Sequence, residues 1–332
     1  MSNLPLVSIV IPVYNGSNFL DEAIYSALAQ TYSNIEVLVI NDGSNDDGAT
    51  RNIALRYGDK IRYFEKENGG VATALNLGIK EMKGEYFSWL SHDDKYLPNK
   101  VSCQVDFLLN LSNKIVVLYA DIEFIDKDSN IISQYKFHHY PPECFRPAFI
   151  RESIISGCTL LVPKVCFELC GDFDPALKTT QDYDLWFKIS EKFKFIHISE
   201  VLIQSRLHDK QDSNKLQNIA LVERDSLYYH FIENISETEI KLLSKGDIAS
   251  YYISLAFKMT ICRCLKAGRL AISKARNNLF KSTFLRNCQN IFKLILLFLL
   301  IWVSKLYIWI LGYNSLIKLK KSIRIFRFKM KN

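Results

Sequence analysis

Two adjacent carboxylates, Asp93 and Asp94, follow the run Tyr86-Phe87-Ser88-Trp89-Leu90 by way of Ser91 and His92. An apolar strand that ends in acids packs poorly, but it is a suitable place to hold a divalent cation. Mg²⁺ and Mn²⁺ take hard oxygen ligands and complete their coordination with substrate phosphates, so one or two carboxylates at a strand end suffice for a metal–diphosphate site. The same pair can also be read as an acidic turn capping a helix that starts near Pro98, since Asp favours the N-cap and Pro the first helical turn. The surroundings must decide between the two.

Those surroundings alternate strand and helix signals at the pace of parallel βαβ units. Val7 to Val13 and Ile35 to Ile40 read as buried strands, with Ala23, Ile24, Ala27 and Leu28 at helical spacing between them. Arg62-Tyr63-Phe64 is a shorter strand, followed by Asn68-Gly69-Gly70 and a helix carrying Leu75, Leu77 and Ile79. The predicted fold is an α/β, doubly wound, mostly parallel sheet, whose ligands sit at the carboxyl ends of the strands. Those ends are Tyr14-Asn15, Asn41-Asp42-Gly43-Ser44, Asn68-Gly69-Gly70 and His92-Asp93-Asp94. Neither Gly-x-Gly-x-x-Gly nor Gly-x-x-x-x-Gly-Lys follows the first strand, which disfavours a nicotinamide oxidoreductase and a P-loop NTPase. A nucleotide would be held another way, with a carboxylate such as Asp42 accepting from a base N–H and a metal covering the diphosphate.

Charge divides the chain. Lys258 to Asn332 carries 17 Lys and Arg and no Asp or Glu, leaving 25 basic and 35 acidic side chains in residues 1–257. The acidic part argues against nucleic acid as its partner, and the basic part suits an anionic membrane surface, with nucleic acid as a lesser alternative for the tail. Eight Cys at irregular spacings, without a secretory leader or paired zinc spacing, read as free thiols in a reducing compartment.

The ordered motifs resemble family 2 glycosyltransferases of the GT-A fold. The resemblance rests on Val7-Ser8-Ile9-Val10-Ile11-Pro12-Val13-Tyr14-Asn15, Val39-Ile40-Asn41-Asp42-Gly43-Ser44, Asn68-Gly69-Gly70 with Ala74-Leu75-Asn76-Leu77-Gly78-Ile79, Gly84-Glu85-Tyr86 and Leu90-Ser91-His92-Asp93-Asp94. It implies an inverting transfer from a nucleotide sugar, with a UDP-sugar favoured, to a saccharide or lipid-linked saccharide acceptor in cell-surface polysaccharide synthesis. It implies nucleotide or donor contacts from Pro12, Tyr14, Asp42, Asn76, His92 and Asp93, and Mn²⁺ or Mg²⁺ held by Asp93, with Asp94 and His208 beside it. Ser91 departs from the family pattern where a first Asp is often found, and Leu75 stands where many relatives carry Arg. Within Thr179-Thr180-Gln181-Asp182-Tyr183-Asp184-Leu185-Trp186, Asp182 matches the general base that takes the proton of the acceptor hydroxyl. The competing reading is a helix cap, which suits Asp184 at least as well. No Gln-x-x-Arg-Trp motif is present, which argues against a processive synthase, and Val7 to Ser17 holds no Lys or Arg for a nucleotidyltransferase loop. A non-catalytic nucleotide-sugar-binding partner is the other class to weigh, and it would have no need of Asp182.

The expected organisation is a GT-A domain over residues 1–213, a helical extension over 214–286 and a hydrophobic, basic membrane-associating segment over 287–332. Leu294 to Val303 and Leu306 to Leu311 together approach the length of about 20 residues that a span requires. Basic clusters flank the stretch on both sides, however, which favours a segment that returns or lies in the interface at the cytoplasmic face, with a single span as the alternative.

Overall fold

The computed structural model describes residues 4–152, 154–208, 216–279 and 289–296. They fall into two compact units that divide between Leu243 and Ser244. In the first unit, a five-stranded sheet has the order β3-β2-β1-β4-β8, built from β1 (Val7–Val13), β2 (Ile35–Asn41), β3 (Arg62–Glu65), β4 (Tyr86–Trp89) and β8 (Val162–Pro163). The first four run parallel and β8 is antiparallel to β4. Every residue of β1 is buried, as expected of a central strand covered on both faces. Pro12 is tolerated there because pairing with β4 ends at Val10–Trp89, before the missing N–H would matter on that side. Burying one large apolar side chain contributes about 1.5–3 kcal/mol, whereas an exposed pair such as Arg56–Asp21 adds about 0–1 kcal/mol, so the apolar strands fix this sheet.

Connecting helices α1 (Leu20–Leu28), α2 (Ala49–Leu55) and α3 (Val71–Glu81) follow the first three strands, as the periodicity predicts. A second sheet, β5-β9-β6-β7, is formed by β5 (Lys95–Tyr96), β6 (Val117–Ile125), β7 (Ile131–Tyr135) and β9 (Phe195–Arg206). Strand β9 runs parallel to β6 and ends at Arg206, while β5 joins β9 antiparallel, so the turn that holds Asp93 and Asp94 is clamped between the two sheets. Helix α4 (Lys100–Leu109) begins after that turn. Its first residue, Lys100, is fully buried; the ammonium donates to Ser88 Oγ and to Leu160 O (3.2 Å), and burial drives it down to about 7.

Aromatic packing closes the other side. Helices α5 (Phe145–Arg151), α6 (Lys164–Cys170) and α7 (Gln181–Lys192) complete the unit together with the helix Gln217–Asn234. Phe145 stacks on Phe195 at 4.2 Å, and Phe231 of the last helix stacks on Phe187 of α7 at 4.0 Å. The helix Gln217–Asn234 therefore belongs with the sheets rather than with the basic tail.

In the second unit, helices Ile248–Cys262 and Leu265–Asn278 pack against each other through a sharp turn at Arg263, whose φ is +62°. None of the described helices is long and apolar enough to cross a membrane. The apolar stretch expected to associate with a membrane, Leu294 to Val303 and Leu306 to Leu311, lies outside the described residues from position 297 onward. The described cysteines are all free thiols.

Candidate active site

Hydrogen bonds gather the polar strand-end loops together. Asp42, 3% exposed, sits just past β2 and is almost saturated: Oδ1 accepts from Gly69 N (3.1 Å) and Lys66 Nζ (2.5 Å), and Oδ2 accepts from Gly70 N (2.7 Å). Gly43 follows at φ +69°, and a Cβ there would lie 2.6 Å from Asn68 N, so only glycine lets the two loops close. Asn41 Oδ1 accepts from Ser44 N and Ser44 Oγ, and Asn15 and Asn45 bond each other reciprocally at 2.6 and 2.8 Å. These bonds tie the first two strand ends together. Tyr14 stands exposed at the mouth, whereas Pro12 is buried within its strand.

Asp93 and Asp94 separate in role. The Asp93 carboxylate meets His208 Nε2 at 3.0 Å, and the two side chains remain 14% and 12% exposed. The His208 ring packs on Phe19, 5.1 Å between centroids, and the Arg206 guanidinium covers the same phenyl ring at 4.3 Å. Arg206 is wholly buried and donates to Asp93 O (2.9 Å), Asp126 O (3.2 Å) and Glu22 Oε2 (3.0 Å), which fixes the turn from below. Asp94 points inward. Its Oδ1 accepts Arg206 N at 2.9 Å, and burial together with the Asp93 charge holds its carboxyl well above the usual carboxylate range. The capping role weighed for it is not realised: α4 starts after Asn99, without a side-chain cap. Ser91 Oγ contacts Cys158 Sγ at 3.2 Å, and the His92 ring packs against Gly16, where an added Cβ would approach within 2.5 Å.

Asp182 occupies the second position of α7, half-buried. Burial pushes its carboxyl up to about 6, against a lowering influence of the nearby first-turn amides. It forms no ion pair among the described residues, whereas Asp184 is engaged by Lys188 at 2.6 Å. Asn76 links this region to α3 by bonding Phe173 in both directions, donating to Phe173 O at 2.8 Å and accepting from Phe173 N at 3.0 Å. Both ends of that amide are thus occupied by the backbone. The Phe173 ring then lies between Trp89 of β4 and Trp186 of α7, at 6.2 and 5.4 Å.

Several partners were not visible as motifs. Lys66 is one residue before the Glu-Asn-Gly-Gly run, and a cation next to a carboxylate-binding glycine loop could have suggested it. Arg206, within Ser205-Arg206-Leu207-His208, could have been suspected because a cation ending a buried strand needs acceptors. Glu223, which bonds the residues ahead of α7, carries no sequence signal at all.

A mostly parallel sheet with a crowded acid past β2 and two acids past β4 has the architecture of a GT-A glycosyltransferase. A model of glycosyl transferase family 2 matches residues 8–167. An uncharacterized glycosyltransferase of Rickettsia typhi is 47% identical over 272 residues, covering 81% of this chain and 84% of that protein. Escherichia coli chondroitin synthase is 29% identical over 249 residues, covering 73% of this chain and 34% of the synthase. Among solved structures, Staphylococcus aureus TarS 1–349 in complex with UDP-GlcNAc shares the fold with a TM-score of 0.55 at 14% identity, over 82% of this chain and 89% of that one. Mannosyltransferase PcManGT from Pyrobaculum calidifontis, in complex with GDP-Man and Mn²⁺, does so with 0.54 at 16% identity, over 89% and 81%. The chain belongs to glycosyl transferase family 2.

Proposed function

We propose that this glycosyltransferase moves a sugar with inversion from a nucleoside-diphosphate donor, a UDP-sugar by preference, to a hydroxyl of a glycan acceptor carried on a membrane lipid. The observation that carries the reading is the unequal commitment of the carboxylates. Asp42 is crowded by amides and Lys66, Asp94 holds Arg206 N, and Asp184 holds Lys188. That leaves Asp93 beside His208 and Asp182 without a cation.

The donor set fits Mn²⁺ or Mg²⁺. Asp93 and His208 bring one carboxylate oxygen and one imidazole nitrogen together at an accessible strand end. No group of three or more His, Cys, Asp or Glu able to hold an ion occurs among the described residues, so a diphosphate would complete the coordination. When bound, the ion neutralises charge on the departing diphosphate. Asp182 accepts the proton of the acceptor hydroxyl as that oxygen forms its bond to the anomeric carbon. The bond from that carbon to the phosphate oxygen breaks, and its electron pair leaves with the nucleoside diphosphate. Asp42 retains acceptor capacity on Oδ2 for a base N–H, and Tyr14 lies exposed at the same mouth, where a base could stack. Asn76 and His92 support the walls of the donor crevice.

TarS with UDP-GlcNAc, PcManGT with GDP-Man and Mn²⁺, and the chondroitin and hyaluronan synthases among the relatives support a nucleotide-sugar donor and a saccharide acceptor. Purified protein with Mn²⁺, screened against UDP-, GDP- and dTDP-sugars with and without saccharide acceptors, should release nucleotide fastest with a UDP-sugar and acceptor together. No acceptor-stimulated release from any donor would refute the reading. The basic tail from Lys258 onward supports docking on anionic lipid at the cytoplasmic face. The full chain should float with phosphatidylglycerol vesicles and be released by salt, and equal flotation with neutral vesicles at all salt concentrations would remove the electrostatic part of that argument.

A further inference from the structure

Thr180 precedes α7 at the position where a threonine hydroxyl ordinarily accepts the amides of the first helical turn. Here it makes no such bond. Its hydroxyl donates instead to Glu223 Oε2 at 3.3 Å, and the Thr179 hydroxyl donates to the same oxygen at 2.7 Å. Glu223 also accepts Thr179 N at 2.9 Å and Lys178 N at 2.7 Å. Burial works against the ionised form of Glu223, but these bonds outweigh it and hold the carboxyl below its ordinary value. The helix that carries Glu223 is anchored independently, by Phe231 on Phe187 within α7 and by the burial of Leu227 and Tyr228. One helix thus grips α7 in its body and Glu223 grips the residues just ahead of it.

The consequence falls on Asp182. Glu223 holds the chain at Lys178, Thr179 and Thr180, and Asp182 follows directly as the second residue of α7. We propose that Glu223 is a positioning residue for the base: by binding Lys178 N, Thr179 N and the hydroxyls of Thr179 and Thr180 it fixes the approach to α7, and with it the first turn that carries Asp182. The proposal rests on the reading of Asp182 as base. Removing Glu223 releases these bonds, and the start of α7 then loses its fixed place.

The test uses the full chain with Mn²⁺. Nucleotide affinity is measured calorimetrically with UDP, and turnover is measured as UDP release from UDP-glucose, UDP-galactose, UDP-GlcNAc, UDP-GalNAc and UDP-glucuronate with acceptor present. Glu223→Ala should lower kcat by roughly ten- to hundred-fold, the scale of a misplaced reacting group, while leaving UDP affinity unchanged. Glu223→Gln keeps the size and one acceptor oxygen, and it should fall between wild type and Glu223→Ala. Should Glu223→Ala fail to fold, wild-type kcat in Glu223→Gln overturns the proposal. It is also overturned if Glu223→Ala keeps wild-type kcat, or if kcat and UDP affinity fall together. Asp182→Asn runs alongside: full transfer in that variant would refute the base itself, separately from Glu223.

Discussion

Replacing Asp182 with Asn should slow transfer and at the same time stabilise the fold. Burial raises the Asp182 carboxyl from 3.8 to about 6. A difference of roughly two pK units, at about 1.36 kcal/mol each, means that the ionised group destabilises the folded chain by up to about 3 kcal/mol at neutral pH. The direction follows from linkage. The folded state binds this proton more tightly than the unfolded state, so wild-type stability declines as pH rises from about 4 to about 6 and this contribution is then constant. Asn carries no charge at any of these values and keeps a side-chain oxygen for the amides of the first turn. Asp182→Asn should therefore melt higher than wild type at pH 7.5, by up to roughly 10 °C on the usual scaling for a domain of this size, and the two curves should converge near pH 4. Turnover should fall by roughly 10²–10⁴-fold, and the acidic limb of the wild-type rate profile near pH 6 should vanish from whatever activity remains. Thermal melts from pH 4 to 8 without nucleotide, paired with initial rates, check both parts. A variant no more stable at pH 7.5, or a stability gap that does not change with pH, would refute the claim that this carboxylate is held in a site that disfavours its charge.

Two further substitutions probe the strand ends. Asp93→Asn keeps a hydrogen-bonding group near His208 but removes the negative charge; the Mn²⁺ concentration for half-maximal activity should rise by roughly 10–100-fold or more, measured by metal titration after chelation, and an unchanged titration would exclude Asp93 as a ligand. Lys100→Met removes a buried ammonium that burial lowers from 10.5 to about 7. Because the unfolded state holds that proton more tightly, wild-type stability should rise with pH between about 7 and 10; the variant should be a few kcal/mol more stable at pH 7, with the gap closing toward pH 10. Denaturant titrations at both pH values check this, and parallel pH dependence in the two proteins would contradict it.

The strand ends were legible because each is written in a short contiguous run. Val7 to Val13 is buried throughout, and β1 to β4 assemble in the order expected of a doubly wound sheet. The short second-sheet strands were harder to read. Lys95–Tyr96 is two residues long, and Ile131–Tyr135 has no buried face to impose a period. The place of the helix Gln217–Asn234 was also hard to read, because Leu227, Tyr228 and Phe231 read as any amphipathic helix until Phe187 is seen beneath them.

What no motif could convey is how the acids divide their work, because each is assigned by a partner outside its motif. Asp93 and Asp94 are adjacent and chemically identical, yet one meets His208 and the other takes Arg206 N, since successive residues in the turn point to opposite sides of it. Asp182 and Asp184 are likewise separated by Lys188, which lies one helical turn beyond Asp184 and so neutralises only that member of the pair. Asn76 shows the converse. Its place in Ala74-Leu75-Asn76-Leu77-Gly78-Ile79 suggests a donor contact, but its amide spans to Phe173 and joins α3 to the approach of α7. The residue types at a site can be read from sequence, but which of them remains chemically available depends on cations, amides and hydroxyls that arrive from elsewhere in the fold. For this glycosyltransferase those groups are Lys66, Lys188, Arg206 and Glu223.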